Sequence, residues 1–330
     1  MMAAARRSFV IWLGGSAVLF VVAAMLLPFI GPSQLDLAAV WKRQEPDWSI
    51  LTQLRVSRTL LGLVGGGALA LAGSVFQSML RDSLATPYTL GVSTGASLGA
   101  VLAIATGLDT RLGISAVWAG AFTGSAIVLF LVMGAARRER QVSVSGLLLA
   151  GIALNSVCGS LIILVHSLSG LSKSFAISRW LIGSLDAIEY PTLSVYVVIV
   201  IPMSIMVIRQ ARHWNLLAVG EAWAATRGAH INRSLVGGYL VGSVLAASTV
   251  ALTGPIGFIG LVVPHLLRSR VGGDDRIVMP CAFLIGGVLL ASCDALGRVL
   301  LAPAEIPAGA ITALIGGPHL IWVVRKGAKR

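Results

Sequence analysis

Long stretches of this chain carry no charge, and that property constrains its fold more than any motif does. Between Ser8 and Ile30, Thr59 and Leu80, Leu112 and Gly134, and Ser234 and Leu267 there is no Asp, Glu, Lys or Arg. A run of about 20 apolar residues, wound as a helix, matches the hydrocarbon thickness of a bilayer. Hydrophobic residues make up 56% of the 330 and charged residues 12%, a balance that excludes a soluble domain built around one core. Inside lipid every backbone N–H and C=O must find its partner within the chain, so such runs are helices. The sequence therefore predicts an all-α polytopic membrane protein.

Glycine, proline and charged residues between the apolar runs divide the chain into about ten spans. Their expected limits are 8–30, 59–80, 88–106, 112–134, 144–167, 191–208, 234–253, 255–268, 277–297 and 305–324, within a single transmembrane domain, 1–330. The first run is longer than the ~7–15 residues of a signal peptide's apolar region, which favours a retained span. The eighth opens at Thr253-Gly254-Pro255 and is short, as expected for a broken helix enclosed by others. The net charge of +12 comes from basic residues scattered singly, with no aromatic-interleaved basic face that would suit nucleic acid. With both termini cytoplasmic, most of the 25 basic residues fall on the cytoplasmic side, including Arg137, Arg138, Arg140, Arg268, Arg270, Arg276, Arg325, Lys329 and Arg330, while Arg111 falls outside. Cys158, Cys281 and Cys293 lie in apolar runs without CxxC spacing and are expected to be buried small hydrophobes.

The longest polar, helix-capable stretch is Arg209 to Arg233. Asn215 is expected to cap a short turn from Leu216 to Val219, and Gly220 to break it. Glu221 opens a second short helix with Arg227 in its last turn and Gly228 as its left-handed stop. This 209–233 segment cannot cross a bilayer. It lies at the surface, either as a docking surface for a partner or as an amphipathic loop on the headgroups.

Chemistry of its own is hard to find in the chain. There is no GxxxxGK[ST] phosphate loop, no HExxH and no clustering of His, Cys and carboxylates at ligand spacing, so no metal or cofactor site is expected and any ATP must be bound by another chain. A secondary transporter is expected to hold paired ionisable groups at mid-membrane. Asp294 and Glu305 fall instead at expected outer span ends, and Asp294 and Arg298 can pair on one helix face. His166 and His319 are lone histidines suited to a hydrogen-bonded structural role or to lining a pathway. Ser93, Thr94, Ser97, Asn155, Ser156 and Thr312, with the many glycines, suit close helix packing as well as a weakly interacting conduit.

Five stretches, in order along nearly the whole chain, carry a family resemblance: LRVSRTLLGLVGGGALALAGSVFQSMLRDSLATPYTLGVSTGASLGA at Leu54 to Ala100, WLIGSL at Trp180 to Leu185, GEAWAATRG at Gly220 to Gly228, GPIGFIGLVVPHLLR at Gly254 to Arg268, and DALGRVLLAPAEIPAGAITALIGGPHLIW at Asp294 to Trp322. Together they resemble the permeases of type II ABC importers for iron siderophores, haem and cobalamin. The resemblance implies a permease in the cytoplasmic (inner) membrane, most simply a homodimer, with two ATPase subunits that bind ATP and Mg and a substrate-binding protein on the outer side. It implies that Leu217, Gly220, Glu221, Ala224 and Gly228 belong to helices that couple to the ATPase. It makes Arg55, Arg58 and Arg298 the outer-face groups that meet acidic residues of the binding protein, where exposed guanidinium groups form bidentate carboxylate pairs. It puts the cytoplasmic gate at Asp82, Leu84, Ser143 and Val144. Ser57 and Ser83 stand where the family usually has proline, and Asp82 where it usually has asparagine. The implied cargo is a metal chelate, a ferric siderophore first, with haem or cobalamin as the alternative; an ion-coupled secondary transporter and a structural membrane subunit are the alternatives of other classes.

Overall fold

The computed structural model describes residues 2–108, 114–138 and 141–327. Arg111, Arg140, Lys329 and Arg330, used in the charge argument, lie outside them. The described residues are mostly helical: α1 (Met2–Leu26), α2 (Leu37–Trp41), α3 (Asp47–Leu80), α4 (Val92–Thr106), α5 (Ile114–Ala136), α6 (Val144–Leu168), α7 (Leu171–Ile182), α8 (Tyr190–Arg209), α9 (Ala211–Val219), α10 (Glu221–Thr226), α11 (Ile231–Thr253), α12 (Ile259–Val271), α13 (Asp275–Leu300) and α14 (Ala308–Gly327). A two-residue hairpin, β1 (Arg137–Arg138) with β2 (Gln141–Val142), joins α5 to α6. Helices α1, α3, α5, α6, α8, α11 and α13 are long and apolar enough to cross a membrane. The shorter α4, α12 and α14 occupy the positions of the third, eighth and tenth expected spans.

Two features depart from expectation. The second span begins at Asp47 rather than Thr59, passing through a π-helical stretch at Ile50–Val56. Charge does not end the helix there because Arg55 and Arg58 both find partners inside the chain. The outer connection between the fifth and sixth spans holds a further helix, α7, set off by Gly170 and Gly183. Lys173 and Arg179 hide it from a hydropathy reading, yet Ile177 is buried while Leu171 and Phe175 stay exposed.

Glycine sets the spacing of the core. A Cβ on Gly66 of α3 would lie 2.2 Å from the carbonyl oxygen of Gly286 on α13, and one on Gly287 would lie 2.2 Å from that of Leu63. Gly95 and Gly99 of α4 face Gly120 and Gly124 of α5 in the same way. Between apolar helices in lipid there is no hydrophobic gain from association, so backbones brought to van der Waals contact by small residues supply the attraction. The tightest approach to α12 is at Gly73, where a Cβ would sit 1.9 Å from the Gly260 oxygen. Gly73→Ala is expected to cost about 1–3 kcal/mol through overpacking. A detergent-solubilised chain that melts at the wild-type temperature would show that α3 and α12 do not approach so closely.

Most of the small polar side chains suited to helix packing are satisfied locally. Ser97 donates to Ser93 O at 3.0 Å, Ser156 to Ile152 O at 3.1 Å and Thr312 to Gly309 O at 3.0 Å, all within their own helices, and Thr94 bonds Asn155 across α4 and α6. His166 meets Ser178 Oγ at 3.0 Å, whereas the ring of His319 packs beside Trp322. All three cysteines are buried and free.

Candidate coupling and docking sites

At the face expected to be cytoplasmic, α9 and α10 form the surface segment. Gly220 joins them in a conformation, φ 150° and ψ 147°, that a side chain rarely adopts. Gly228, at φ 79°, ends α10, and the N–H of Ala229 returns to Ala224 O at 3.1 Å, which satisfies the last carbonyls of the helix. The Arg227 guanidinium lies 4.5 Å from the centre of the Trp223 ring. Leu217 and Ala224 do not face outward: they are buried, with Trp214, against the body of the chain. An amphipathic helix must bury one stripe, and these residues are that stripe. Val219 and Trp223 form the exposed side.

Asn215 corrects the sequence reading. Helix α9 already begins at Ala211, so Asn215 is interior to it and caps a different helix. Its Oδ1 accepts the backbone N–H of Asp275 at 2.8 Å, and its Nδ2 donates to Asp274 Oδ1 at 2.7 Å. Asp275 is fully buried, with Oδ2 accepting from Ser78 Oγ at 2.6 Å and Oδ1 from Arg268 Nη2 at 2.9 Å. The sequence signals only half of this: Gly272-Gly273-Asp274-Asp275 before an apolar run reads as a helix start. Partners some 60 residues away are not legible.

The stretches expected to hold the gate are bonded to α10 on one side and to the first turn of α11 on the other. Arg81, the left-handed end of α3 at φ 55°, pairs with Glu221 at 3.0 Å, and its chain continues into Asp82, whose Oδ1 accepts from Leu84 N at 2.9 Å. Leu84 projects outward and lines, with Tyr88, Phe258 and Leu320, an apolar cavity of 460 Å³. On the other side, Val142 N–H donates to Asn232 Oδ1 at 2.9 Å, immediately before Ser143, whose side chain accepts from Gly146 N and caps α6 at Val144.

On the opposite face the three arginines gather, but not as exposed groups. Arg55 is 4% exposed and donates to Ser33 O at 2.6 Å and to Phe29 O at 3.3 Å. Asp294, 2% exposed, lies between Arg58, 2.9 Å away, and Arg298, 3.2 Å away. Arg58 also reaches Glu305 at 3.0 Å. The i,i+4 pairing of Asp294 with Arg298 is as expected; the exposure of Arg55 and Arg298 is not. Guanidinium groups at the rim of a bundle are held by whatever carboxylates and carbonyls the tertiary fold brings to them, and here the fold brings enough to enclose two of the three.

The motif blocks also converge. Gly183 of the WLIGSL stretch leaves no room for a Cβ, which would lie 2.3 Å from Pro255 O, and its own carbonyl accepts from Gly309 N at 3.0 Å. Ser184 N donates to Thr253 O at 2.8 Å. The blocks at Trp180, Gly254 and Ala308 are thus one packed junction. The FecCD transport family pattern matches residues 18–326 of this sequence. The chain belongs to the FecCD transport family. A hemin transport system permease of Yersinia pestis is 36% identical over 316 residues, covering 94% of each chain. A vitamin B12 import system permease of Salmonella typhimurium is 36% identical over 285 residues, covering 84% of each. A solved structure described as an inward-facing conformation of a metal-chelate type ABC transporter superposes with a TM-score of 0.84 at 28% identity, over 96% of this chain and 99% of the other. As a FecCD permease the chain is the membrane subunit of an ABC importer and is not itself the catalyst of ATP hydrolysis.

Proposed function

We propose that this FecCD permease carries a ferric siderophore inward across the cytoplasmic membrane by alternating access, as a homodimer driven by two ATPase subunits that hold the ATP and Mg. The observation that carries this reading is the attachment of the two expected gate flanks to the surface segment and to the helix that follows it, through Glu221 of α10 to Arg81 and Asn232 in the first turn of α11 to Val142. In it, Val219, Trp223 and the turns at Gly220 and Gly228 meet the ATPase, while Leu217 and Ala224 anchor those helices. Movement of the segment then shifts Asp82 and Leu84 on one side and Ser143 and Val144 on the other. The chain itself binds no cofactor. A substrate-binding protein docks on the outer face, where Glu305 is its accessible charged contact, Arg58 lies part-buried beneath it, and Arg55 and Arg298 hold the surface in shape.

Haem is the second cargo to test, because the Yersinia pestis relative is named for hemin transport. Proteoliposomes holding this chain with the ATPase that co-purifies with it, supplied with the binding protein from the same operon, are expected to take up radiolabelled iron as a ferric siderophore only with ATP. Uptake of haemin or cyanocobalamin alone would replace the cargo. Uptake without any ATPase would sink the proposal.

A further inference from the structure

Helices α3 and α13 run antiparallel and are fastened to each other at the two ends of their shared contact, Ser78–Asp275 and Arg58–Asp294, and along the middle. At the inner end, Ser78 of α3 bonds Asp275 of α13 at 2.6 Å. At the outer end, Arg58 of α3 makes a forked contact with Asp294 of α13 at 2.9 and 3.0 Å. Between these, Gly66 and Gly67 of α3 meet the Gly286 and Phe283 backbone without room for a Cβ, and a Cβ on Gly62 would lie tight against Ala291 Cα at 3.1 Å. A pair whose backbones touch cannot slide without clashes, and a pair bonded at both ends cannot splay without exposing charge. The surface segment grips the inner end of both members: α9 holds the first turn of α13 through Asn215, and α10 holds Arg81, the residue that follows α3, through Glu221. The arginine cluster lies toward the outer end of the pair, about 28 Å along α13 from Asp275 to Asp294 at ~1.5 Å per residue.

We infer that α3 and α13 act as one rigid rod that carries the state of the surface segment to the outer docking face, with Asn215, Asp275 and Ser78 as the positioning residues at its inner end. The inference rests on the proposed meeting of that segment with the ATPase. It differs from the gate movement in its route and direction, since the rod passes through the core of the subunit to the side where a binding protein is received. Asn215 is the residue to test: it donates to one aspartate and accepts from the backbone of the next, so a carboxylate in its place would face Asp274 Oδ1 at 2.7 Å. Exchanging the two groups restores the contact, because asparagine at 274 can donate back and still cap α13.

The readout needs no transported substrate. In the complex with its co-purified ATPase, Val299→Cys on the outer end of α13 and, separately, Leu60→Cys on the outer end of α3 are labelled with a membrane-impermeant maleimide, with and without ATP and vanadate; both positions are exposed, and the native cysteines are buried. Trapping is expected to change both labelling rates at least about fivefold, within the usual range of coupling between sites. Asn215→Asp should abolish both changes, and Asn215→Asp with Asp274→Asn should restore both. Loss at Val299 alone, persistence of both changes in Asn215→Asp, or failure of the exchange to restore them would overturn the rod. If Asn215→Asp sheds the ATPase, the exchanged pair decides alone: recovery of ATPase and labelling changes together supports the rod, and recovery of the ATPase alone overturns it. An unmutated chain that never co-purifies with an ATPase would instead overturn the proposed function.

Discussion

Asp294→Ala is expected to destabilise the chain by roughly 3–5 kcal/mol, the usual cost of leaving a buried ion pair with one partner. Asp294 lies within 2.9 Å of Arg58 and 3.2 Å of Arg298, and all three side chains are largely enclosed. With the carboxylate gone, Arg58 keeps Glu305, but Arg298, with only the more distant Glu305 to attract it, keeps no directly paired carboxylate among the described residues. Its charge must then be solvated by opening the outer ends of α3 and α13. The paired replacement Asp294→Leu with Arg298→Leu should recover most of the loss, because it removes the second charge with the first and refills the space. Thermal melting of the detergent-solubilised chain reads both variants. A single variant as stable as wild type, or a double variant no better than the single, would show that Asp294 is not what neutralises Arg298.

Glu221→Arg is expected to lower ATP-driven uptake by about tenfold or more while the protein still reaches the membrane; a tenfold loss corresponds to ~1.4 kcal/mol. Two effects act together. Arginine at 221 faces Arg81, whose guanidinium now pairs with the carboxylate at 3.0 Å, and it puts positive charge at the N-terminus of α10, where the helix dipole favours negative charge. The native pair is half-exposed and contributes at most about 1 kcal/mol of attraction, so fold stability should change little. Glu221→Arg with Arg81→Glu should return part of the uptake if contact with α3 matters, and none if Glu221 acts only on a partner. Gly228→Val should give a similar loss by a separate route, since a β-branched residue at φ 79° is strained by about 1–3 kcal/mol and the turn after α10 must change. Uptake at wild-type level in both single variants would remove α10 from the coupling path.

Much of the membrane architecture was legible in the residues. Charge-free runs of helical length located the spans, and Gly-Pro at 254–255 marked the broken opening of α12, which begins only at Ile259. Gly220, Glu221 and Gly228 marked the ends of α10, because helix caps are local chemistry. The i,i+4 spacing of Asp294 and Arg298 was also local, and the pair forms. Arg55 and Arg298 were expected to be exposed because a charged residue at a span end has water within reach; Ser33 O and Asp294 reach them first. Asn215 was assigned to the cap of its own short turn because the aspartates it holds lie on a helix far along the chain.

The sequence by itself determined that this chain is a bundle of apolar helices with a polar surface segment of two short helices, because lipid solubility, helix length and capping depend only on neighbours a few residues apart. Only the tertiary structure decided which polar groups meet. Ser78 with Asp275, Arg58 with Asp294 and Glu221 with Arg81 are contacts between residues more than a hundred positions apart. Their partners are chosen by glycine-to-glycine approaches that fix how α3 and α13 lie against each other. In a medium where unpaired charge is costly, that relative placement settles which surface charges remain free for a partner and which are used to hold the protein together.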